Sequence, residues 1–140
     1  MGDYDFELEM KVRDYECDIQ GIVNNANYQH YLEHCRHQFL NTAELDFAGL
    51  HNDGIDAVVI RAELDYKFPL RPNDEFLVRL KMGKQGRLRI IFEQEILRKA
   101  DEKLIVKARI ASVLTKKGRP VSPEILVDRF EKIGITFDEL

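Results

Sequence analysis

Hydrophobic residues alternate with polar residues near the N-terminus, from Phe6 to Val12. A period of two is typical of a strand with one buried face. From Tyr28 onwards the spacing changes to three and four residues, and it stays so to about Leu45. This spacing predicts an amphipathic helix of about five turns, with its apolar stripe facing a core.

The period returns to two at Val58, and four further apolar stretches follow, separated by turn-like segments. The stretches cover residues 58–68, 76–82, 88–96 and 104–113. Because the connections are short, we expect antiparallel neighbours in one sheet. A short helix starting at Ser122-Pro123-Glu124 closes the chain. The whole chain, 1–140, is therefore predicted to be one α+β domain with a five-stranded antiparallel sheet and one long helix.

The predicted sheet has exposed edges, because a single helix covers only one of its faces. An uncovered edge strand presents free N–H and C=O groups that pair readily with another chain. Pairing with a second copy satisfies these groups, so we expect a homodimer.

Composition narrows the class of protein. The chain has 140 residues and a net charge of −4, and two cysteines are too few for a disulfide framework. No apolar run approaches the ~18 residues of a membrane span, and the N-terminus lacks a signal segment. We therefore expect a cytoplasmic protein without membrane or nucleic-acid partners. No cluster of ligands predicts a metal, and no cofactor is expected.

An irregular segment before the long helix carries the candidate chemistry. Asp18 lies in this segment, and Asn25 or Asn27 is a candidate cap for the helix. The unpaired N–H groups at a helix start can stabilise a developing oxyanion. A carboxylate opposite such donors suits acyl transfer from a thioester, since a thiolate leaves without strong acid catalysis. Taken alone, an aspartate ahead of a helix is more often a cap or a turn residue than a catalytic group.

The segment D-Y-E-C-D-I-Q-G-I-V-N-N-A-N-Y, residues 14–28, resembles the signature of the 4-hydroxybenzoyl-CoA thioesterase group of hotdog-fold proteins. The matching positions are Asp18, Gly21, Val23, Ala26, Asn27, Tyr28, Tyr31, Glu33 and Arg36. The resemblance implies a hotdog fold, in which a curved antiparallel sheet wraps around the long helix. It also implies that Asp18 is the catalytic carboxylate and that the Asn25 N–H is the oxyanion donor. Family sites lie between two subunits, and many members are dimers of dimers.

Asn25 departs from one branch of this group, which has a histidine there. An amide does not titrate, so Asn25 cannot act as a base. The V-N-N-A version resembles a branch that includes long-chain acyl-CoA and acyl-carrier-protein thioesterases. Val23, Asn27 and Tyr28 are candidate substrate contacts, although Tyr28 suits core packing as well.

Basic residues concentrate in the middle of the chain, with 13 basic and 4 acidic residues between 79 and 119. Arg87 and Arg89, expected on the outward face of a strand, are candidate contacts for the phosphates of coenzyme A. It is equally consistent with the sequence that both arginines are ordinary solvated charges on the outside of a strand. Glu33 is expected to pair with Arg36, three residues further along the helix.

Other carboxylates and other functions fit the sequence less well. Asp14 and Glu16 are expected to be exposed strand-end residues. A hotdog dehydratase requires a histidine paired with a carboxylate, and no histidine is placed to supply it. The remaining alternatives are a non-catalytic acyl-CoA-binding dimer and a thioesterase acting on acyl-carrier protein.

Overall fold

The computed structural model describes residues 3–45 and 47–140, and for Phe47 it describes the backbone alone. A single 3-10 turn covers Asp14–Glu16. The other elements are β1 (Phe6–Lys11), α1 (Asn25–Thr42), α2 (Phe47–Asn52), β2 (Ile55–Tyr66), β3 (Glu75–Gln85), β4 (Arg89–Arg98), β5 (Lys103–Lys116), β6 (Arg119–Val121), α3 (Glu124–Glu131) and β7 (Asp138–Glu139). None of the helices described has both the length and the hydropathy of a membrane span.

The main sheet has the strand order β1-β3-β4-β5-β2, and all of these neighbours are antiparallel. The short strands β6 and β7 add to β5 and β3 and were not predicted. The hairpins β3–β4 and β4–β5 confirm the expectation drawn from short connections. That expectation is wrong for β2 and β3, because residues 67–74 carry the chain from one edge of the sheet to its other half. The strands at the two ends of this connection, β2 and β3, pair with different neighbours. A short connection alone therefore does not make them adjacent.

Helix α1 packs its apolar stripe against the concave face of the sheet, as the spacing predicted. Its buried side chains are Tyr28, Tyr31, Leu32, Cys35, Phe39 and Leu40. The Tyr31 ring lies 4.7 Å from the ring of Phe76 on β3, and the Phe39 ring stacks 4.5 Å from Phe130 on α3. Aromatic pairs at such distances add to the stabilisation from apolar burial. Helix α3 therefore closes the end of the core that α1 leaves open.

Strand β2 forms one edge of the sheet and contains a bulge at Ile60, between Val59 and Arg61. The bulge inserts one extra residue, so the side-chain alternation shifts there. Val58 was expected on the same face as Leu64. It lies on the opposite face, because Val59 pairs with Ser112 and Leu64 pairs with Ala108 on β5.

The β2 edge exposes more apolar surface than a solvated strand normally does. Val58, Val59 and Ile60 are 43%, 48% and 46% exposed. Tyr66 and Phe68, at the far end of the strand and just beyond it, are 47% and 48% exposed. Contiguous exposed apolar residues on an edge strand are typical of a contact surface.

Candidate active site

Residues 16–24 form a small hairpin that is anchored to the body of the fold. Cys17 pairs with Val23 in an isolated antiparallel bridge, and the Asp18 N–H donates to the Ile22 carbonyl at 2.9 Å. The Val23 N–H donates to Leu70 at 2.9 Å, which ties the hairpin to the chain after β2. Gly21 turns the tip with φ of 75°, a conformation that glycine adopts without steric cost. The hairpin therefore holds Asp18 in a defined position immediately before α1.

The Asp18 side chain is exposed at the hairpin tip in the single chain. Its Oδ1 accepts a hydrogen bond of 2.8 Å from the Gln20 N–H, which closes an Asx turn. Its Oδ2 receives no hydrogen bond from any described residue. One carboxylate oxygen is thus fixed by the local backbone, and the other remains available to a ligand or water.

The start of α1 leaves one backbone donor open. Asn24 caps the helix, since its Oδ1 accepts from the Ala26 N–H at 3.0 Å and its carbonyl accepts from the Asn27 N–H at 2.9 Å. The prediction that Asn25 or Asn27 caps the helix is therefore wrong by one residue or more. The Asn25 N–H, by contrast, finds no acceptor in the described part of the chain. A free N–H in the first turn carries the partial positive charge of the helix.

The Asn27 side chain braces the helix start against the hairpin. Its Nδ2 donates to the Glu16 carbonyl at 2.8 Å, and its Oδ1 lies 3.3 Å from His30 Nδ1. Contact of Asn27 with a substrate stays a prediction. Its observed contacts position the helix start relative to residues 16–24.

Glu16 is buried, contrary to the expectation of an exposed strand-end residue. Its carboxylate accepts from the Arg13 N–H at 2.8 Å, from Arg13 Nη2 at 3.1 Å and from the Tyr31 hydroxyl at 2.9 Å. Burial acts to raise the pKa of Glu16, but the hydrogen bonds from Arg13 and Tyr31 outweigh it and lower the pKa. The long-range partner, Tyr31, could not be identified from the local sequence around Glu16.

Val23 and Tyr28, two predicted substrate contacts, lie in the core of the single chain with 2% exposure each. The Tyr28 hydroxyl accepts from the Leu70 N–H at 3.0 Å, and its ring lies 5.7 Å from the ring of Tyr66 on β2. These contacts support the core-packing interpretation of Tyr28. Whether either residue also borders a bound acyl group stays a prediction.

Arg87 and Arg89 lie at the opposite end of the sheet from Asp18. Arg87 is in the turn between β3 and β4, not on a strand as expected, and Arg89 is the first residue of β4. β3 begins beside the end of β1, close to the Asp18 hairpin, and its 11 residues span roughly 35 Å before that turn. The two arginines and Asp18 of one chain therefore do not meet in one site.

Glu33 and Arg36 do not form the ion pair that their spacing predicted. Arg36 Nη1 instead donates to Gln94 Oε1 on β4 at 2.9 Å. The Glu33 side chain is 57% exposed, and its carboxylate lies 3.9 Å from His37 Nε2. Gln94 is fully buried and was not singled out from the sequence, because it occupies an apolar position of the β4 alternation.

Proteins of known structure share this fold. A solved structure of a hypothetical protein from Aquifex aeolicus superposes with a TM-score of 0.83 at 28% identity, covering 89% of this chain and 98% of that one. A 1,4-dihydroxy-2-naphthoyl-CoA thioesterase from Synechocystis superposes with a TM-score of 0.82 at 18% identity, covering 91% and 93%. At that identity the second likeness concerns the fold alone.

Among curated proteins, a chloroplastic acyl-acyl carrier protein thioesterase from Arabidopsis thaliana is 40% identical over 118 residues. The match covers 82% of this chain and 61% of the relative. The chain thus spans about three-fifths of the length of that protein and of a second Arabidopsis relative.

The curved antiparallel sheet around one long helix defines a hotdog fold, and its neighbours include thioesterases of that fold. The sequence model of the thioesterase-like superfamily matches residues 12–128, which include the Asp18 hairpin, α1 and the main sheet apart from β1. The chain belongs to this superfamily.

Proposed function

We propose that this protein hydrolyses acyl thioesters, with Asp18 as the catalytic carboxylate and the Asn25 N–H as the oxyanion donor. The proposal is supported by two open groups that lie close together in the sequence. One oxygen of Asp18 has no donor in the described residues, and seven residues further on the open N–H of Asn25 lies at the start of α1. Membership of the thioesterase-like superfamily supports the same chemistry.

The proposed reaction follows from the charges of these groups. The Asn25 N–H polarises the thioester carbonyl and stabilises the oxyanion that forms when the carbon is attacked. In one route, Asp18 removes a proton from water and the resulting hydroxide adds to the carbon. In the other route, the carboxylate adds directly and water cleaves the resulting anhydride. In both routes the C–S bond breaks, the thiolate takes up a proton, and the free acid is released.

Neighbouring groups are less suited to these roles. The Glu16 carboxylate is already engaged by Arg13 and Tyr31. Burial, together with nearby carboxylates, raises the pKa of the Cys17 thiol, which disfavours the nucleophilic thiolate. The side chain of Asn25 has no titratable proton, so it can orient water but cannot remove its proton.

We propose that the working unit is a homodimer paired through β2, with a dimer of dimers as the larger assembly. β2 has a hydrogen-bonded neighbour on one side, β5, and its apolar side chains are nearly half exposed. Antiparallel pairing about a two-fold axis reverses the direction of the second sheet. It therefore brings the β3–β4 turn of one chain towards the Asp18 end of the other, where Arg87 and Arg89 can contact the phosphates of coenzyme A.

The thiol carrier is either coenzyme A or acyl-carrier protein, and the proposed setting is the cytoplasm. The hypothesis that the substrate is an acyl-carrier protein is supported by the Arabidopsis relative, an acyl-acyl carrier protein thioesterase. Val23, Asn27 and Tyr28 are proposed to border the acyl group once the second chain is in place.

The decisive experiment measures thiol release from acyl-CoA and acyl-carrier-protein panels by wild type, Asp18→Asn and Asp18→Ala. We expect kcat to fall by about 10²- to 10⁴-fold in both variants. Asp14→Asn, which alters an exposed carboxylate four residues away, is the matched control and should keep the wild-type rate.

An unchanged rate in both Asp18 variants contradicts the mechanism. Tight binding of acyl-CoA without thiol release by the wild type instead favours a non-catalytic acyl-CoA-binding dimer. Sedimentation of wild type and of Val59→Lys tests the proposed dimer through β2. A wild type that sediments as a monomer contradicts this dimer.

A further inference from the structure

Leu70 contacts both halves of the proposed catalytic apparatus. Its carbonyl accepts a hydrogen bond of 2.9 Å from the Val23 N–H, in the hairpin that carries Asp18. Its N–H donates at 3.0 Å to the hydroxyl of Tyr28, which lies in the first turn of α1. The hairpin and the helix start, where the Asn25 N–H is open, are therefore both attached to one residue outside them.

Leu70 is itself held in a fixed position. The residue is fully buried, and Pro69 before it restricts the backbone. The connection 67–74 is tied down at both ends, because its N–H groups donate to the carbonyls of Ile105 on β5 and of Val12 after β1. Leu70 is thus a rigid reference point for the two elements that bind to it.

The Tyr28 hydroxyl makes one hydrogen bond within the described part of the chain, the bond to Leu70. Burial raises the pKa of Tyr28, so the hydroxyl stays neutral and is not suited to act as a base. Without this oxygen, the buried Leu70 N–H has no acceptor. A buried N–H without a partner is costly, so the local backbone is expected to shift when the oxygen is removed.

The other strand of the hairpin is tied to α1 directly. The Glu16 carbonyl accepts from Asn27 Nδ2 at 2.8 Å. The hairpin therefore meets the helix start at two points, Glu16 near its beginning and Val23 near its end, and Asp18 lies between them. One attachment alone leaves the hairpin free to rotate about that point. The second attachment, through Leu70 and Tyr28, removes this freedom.

We propose that Tyr28 is a positioning residue, whose hydroxyl acts through Leu70 to set the distance between the Asp18 carboxylate and the Asn25 N–H. The inference rests on the proposed thioester hydrolysis, in which these two groups act on one carbonyl carbon. Catalytic rates depend steeply on such distances, and a misplacement of about 1 Å can cost roughly 10²-fold. The Tyr28 ring contributes to the core, and its hydroxyl contributes to the geometry of the site.

Tyr28→Phe tests this role, because it removes the hydroxyl and keeps every contact of the ring. The substrate is the acyl-CoA that wild type cleaves fastest. We expect kcat to fall by about 10-fold and KM to change by less than about 3-fold, since the reacting groups move while the binding surface stays. Tyr4→Phe, at an exposed position, should keep the wild-type kcat. Phe130→Leu, in the core beside the other end of α1, lowers stability and should also keep kcat.

A double-mutant cycle separates positioning from a general loss of structure. In an Asp18→Asn background, Tyr28→Phe should lower the residual kcat by less than about 3-fold, because the carboxylate that the hydroxyl positions is absent. A general structural defect lowers kcat equally in both backgrounds.

Amide hydrogen exchange reports on the contact itself. The Leu70 N–H should exchange about 10-fold faster or more in Tyr28→Phe, since its acceptor is gone. The Val12 N–H, which donates to the Asp74 carbonyl at 2.9 Å, is the internal control and should keep its wild-type exchange rate.

A wild-type kcat in folded Tyr28→Phe overturns the proposal, and so does an equal loss in the Asp18→Asn background or in Phe130→Leu. Should Tyr28→Phe fail to fold, replacing Leu70 with its α-hydroxy acid removes the same bond from the donor side and carries the same comparison. Unchanged thiol release in Asp18→Asn removes the proposed function. Loss of activity in Asp18→Asn with a wild-type kcat in Tyr28→Phe removes the positioning role alone.

Discussion

Two carboxylates in the hairpin before α1, Glu16 and Asp18, have opposite environments. Glu16 is 7% exposed and receives hydrogen bonds from Arg13 and Tyr31. Asp18 is exposed, and among the described residues only the N–H of Gln20 donates to its carboxylate, at Oδ1. The two residues are chemically similar and close in sequence, yet one is fixed inside the fold and the other is open to a ligand.

The anchoring carboxylate and the proposed catalytic carboxylate are therefore separate parts of one hairpin. Glu16 joins the hairpin to α1 through the Tyr31 hydroxyl, and its carbonyl receives the Asn27 side chain. These contacts hold the position from which Asp18 projects. We therefore expect substitutions at Glu16 to lower stability and substitutions at Asp18 to lower activity.

The largest effect on stability is expected for Glu16→Ala. The change leaves the buried Tyr31 hydroxyl and the Arg13 N–H without their acceptor, so the free energy of unfolding should fall by about 2–3 kcal/mol. Urea unfolding followed by circular dichroism measures the loss. Asp14→Ala, at an exposed position in the same turn, is the control and should change stability by less than about 0.5 kcal/mol. Equal losses in the two variants contradict the anchoring role of Glu16.

Acid should remove the contribution of Glu16 selectively. The pKa of Glu16 is lowered in the folded state, because hydrogen bonds to the carboxylate outweigh burial. Its contribution is therefore present above the ordinary pKa of about 4.3 and is lost as the pH falls through the lowered folded value. Unfolding free energies of wild type and Glu16→Gln between pH 6 and 3 test this, since wild type should lose more stability than the variant. Parallel pH profiles would contradict it.

A smaller loss is expected for Tyr31→Phe, which removes the hydroxyl donor but keeps the ring packed on Phe76. The remaining bonds from Arg13 still satisfy Glu16, so the free energy of unfolding should fall by about 1 kcal/mol. Tyr15→Phe, at a side chain that is 76% exposed, is the matched control. The pair of variants is compared by urea unfolding, and no difference between them would show that the Tyr31–Glu16 bond contributes little.

The smallest effect on stability is expected for Asp18→Ala. The lost bond to the Gln20 N–H is exposed, and water can replace the acceptor, so the change should stay below about 0.5–1 kcal/mol. The thermal midpoint measures this in the same preparation used for thiol release. If Asp18→Ala destabilises the chain as much as Glu16→Ala does, the proposed separation of anchor and reactive group is wrong.

Local patterns predicted much of the architecture. The spacing of Tyr28, Tyr31, Leu32, Cys35 and Phe39 gave the buried face of α1, because helix periodicity is set by adjacent turns. The alternation of apolar residues likewise predicted β1 and β3. The resemblance of residues 14–28 to a known signature indicated that the segment before the helix carries the candidate site.

Other features depended on contacts that local patterns do not contain. The bulge at Ile60 moves Val58 to the opposite face, and residues 67–74 cross the sheet where a simple hairpin was expected. The cap falls on Asn24, since its side chain and carbonyl both meet the first turn. A bulge and a crossing depend on how the strands pair, and the residue that caps a helix depends on where the backbone enters it.

The order of the main strands and helices, and the position of Asp18 ahead of α1, could be predicted because they follow from spacing within a few residues. Which polar side chains meet depends on the packed fold. Arg36 bonds to Gln94, 58 residues away, in preference to Glu33, and Glu16 bonds to Tyr31, 15 residues away. A buried donor or acceptor must find a partner where the packed elements bring one, and that position is set by the whole fold.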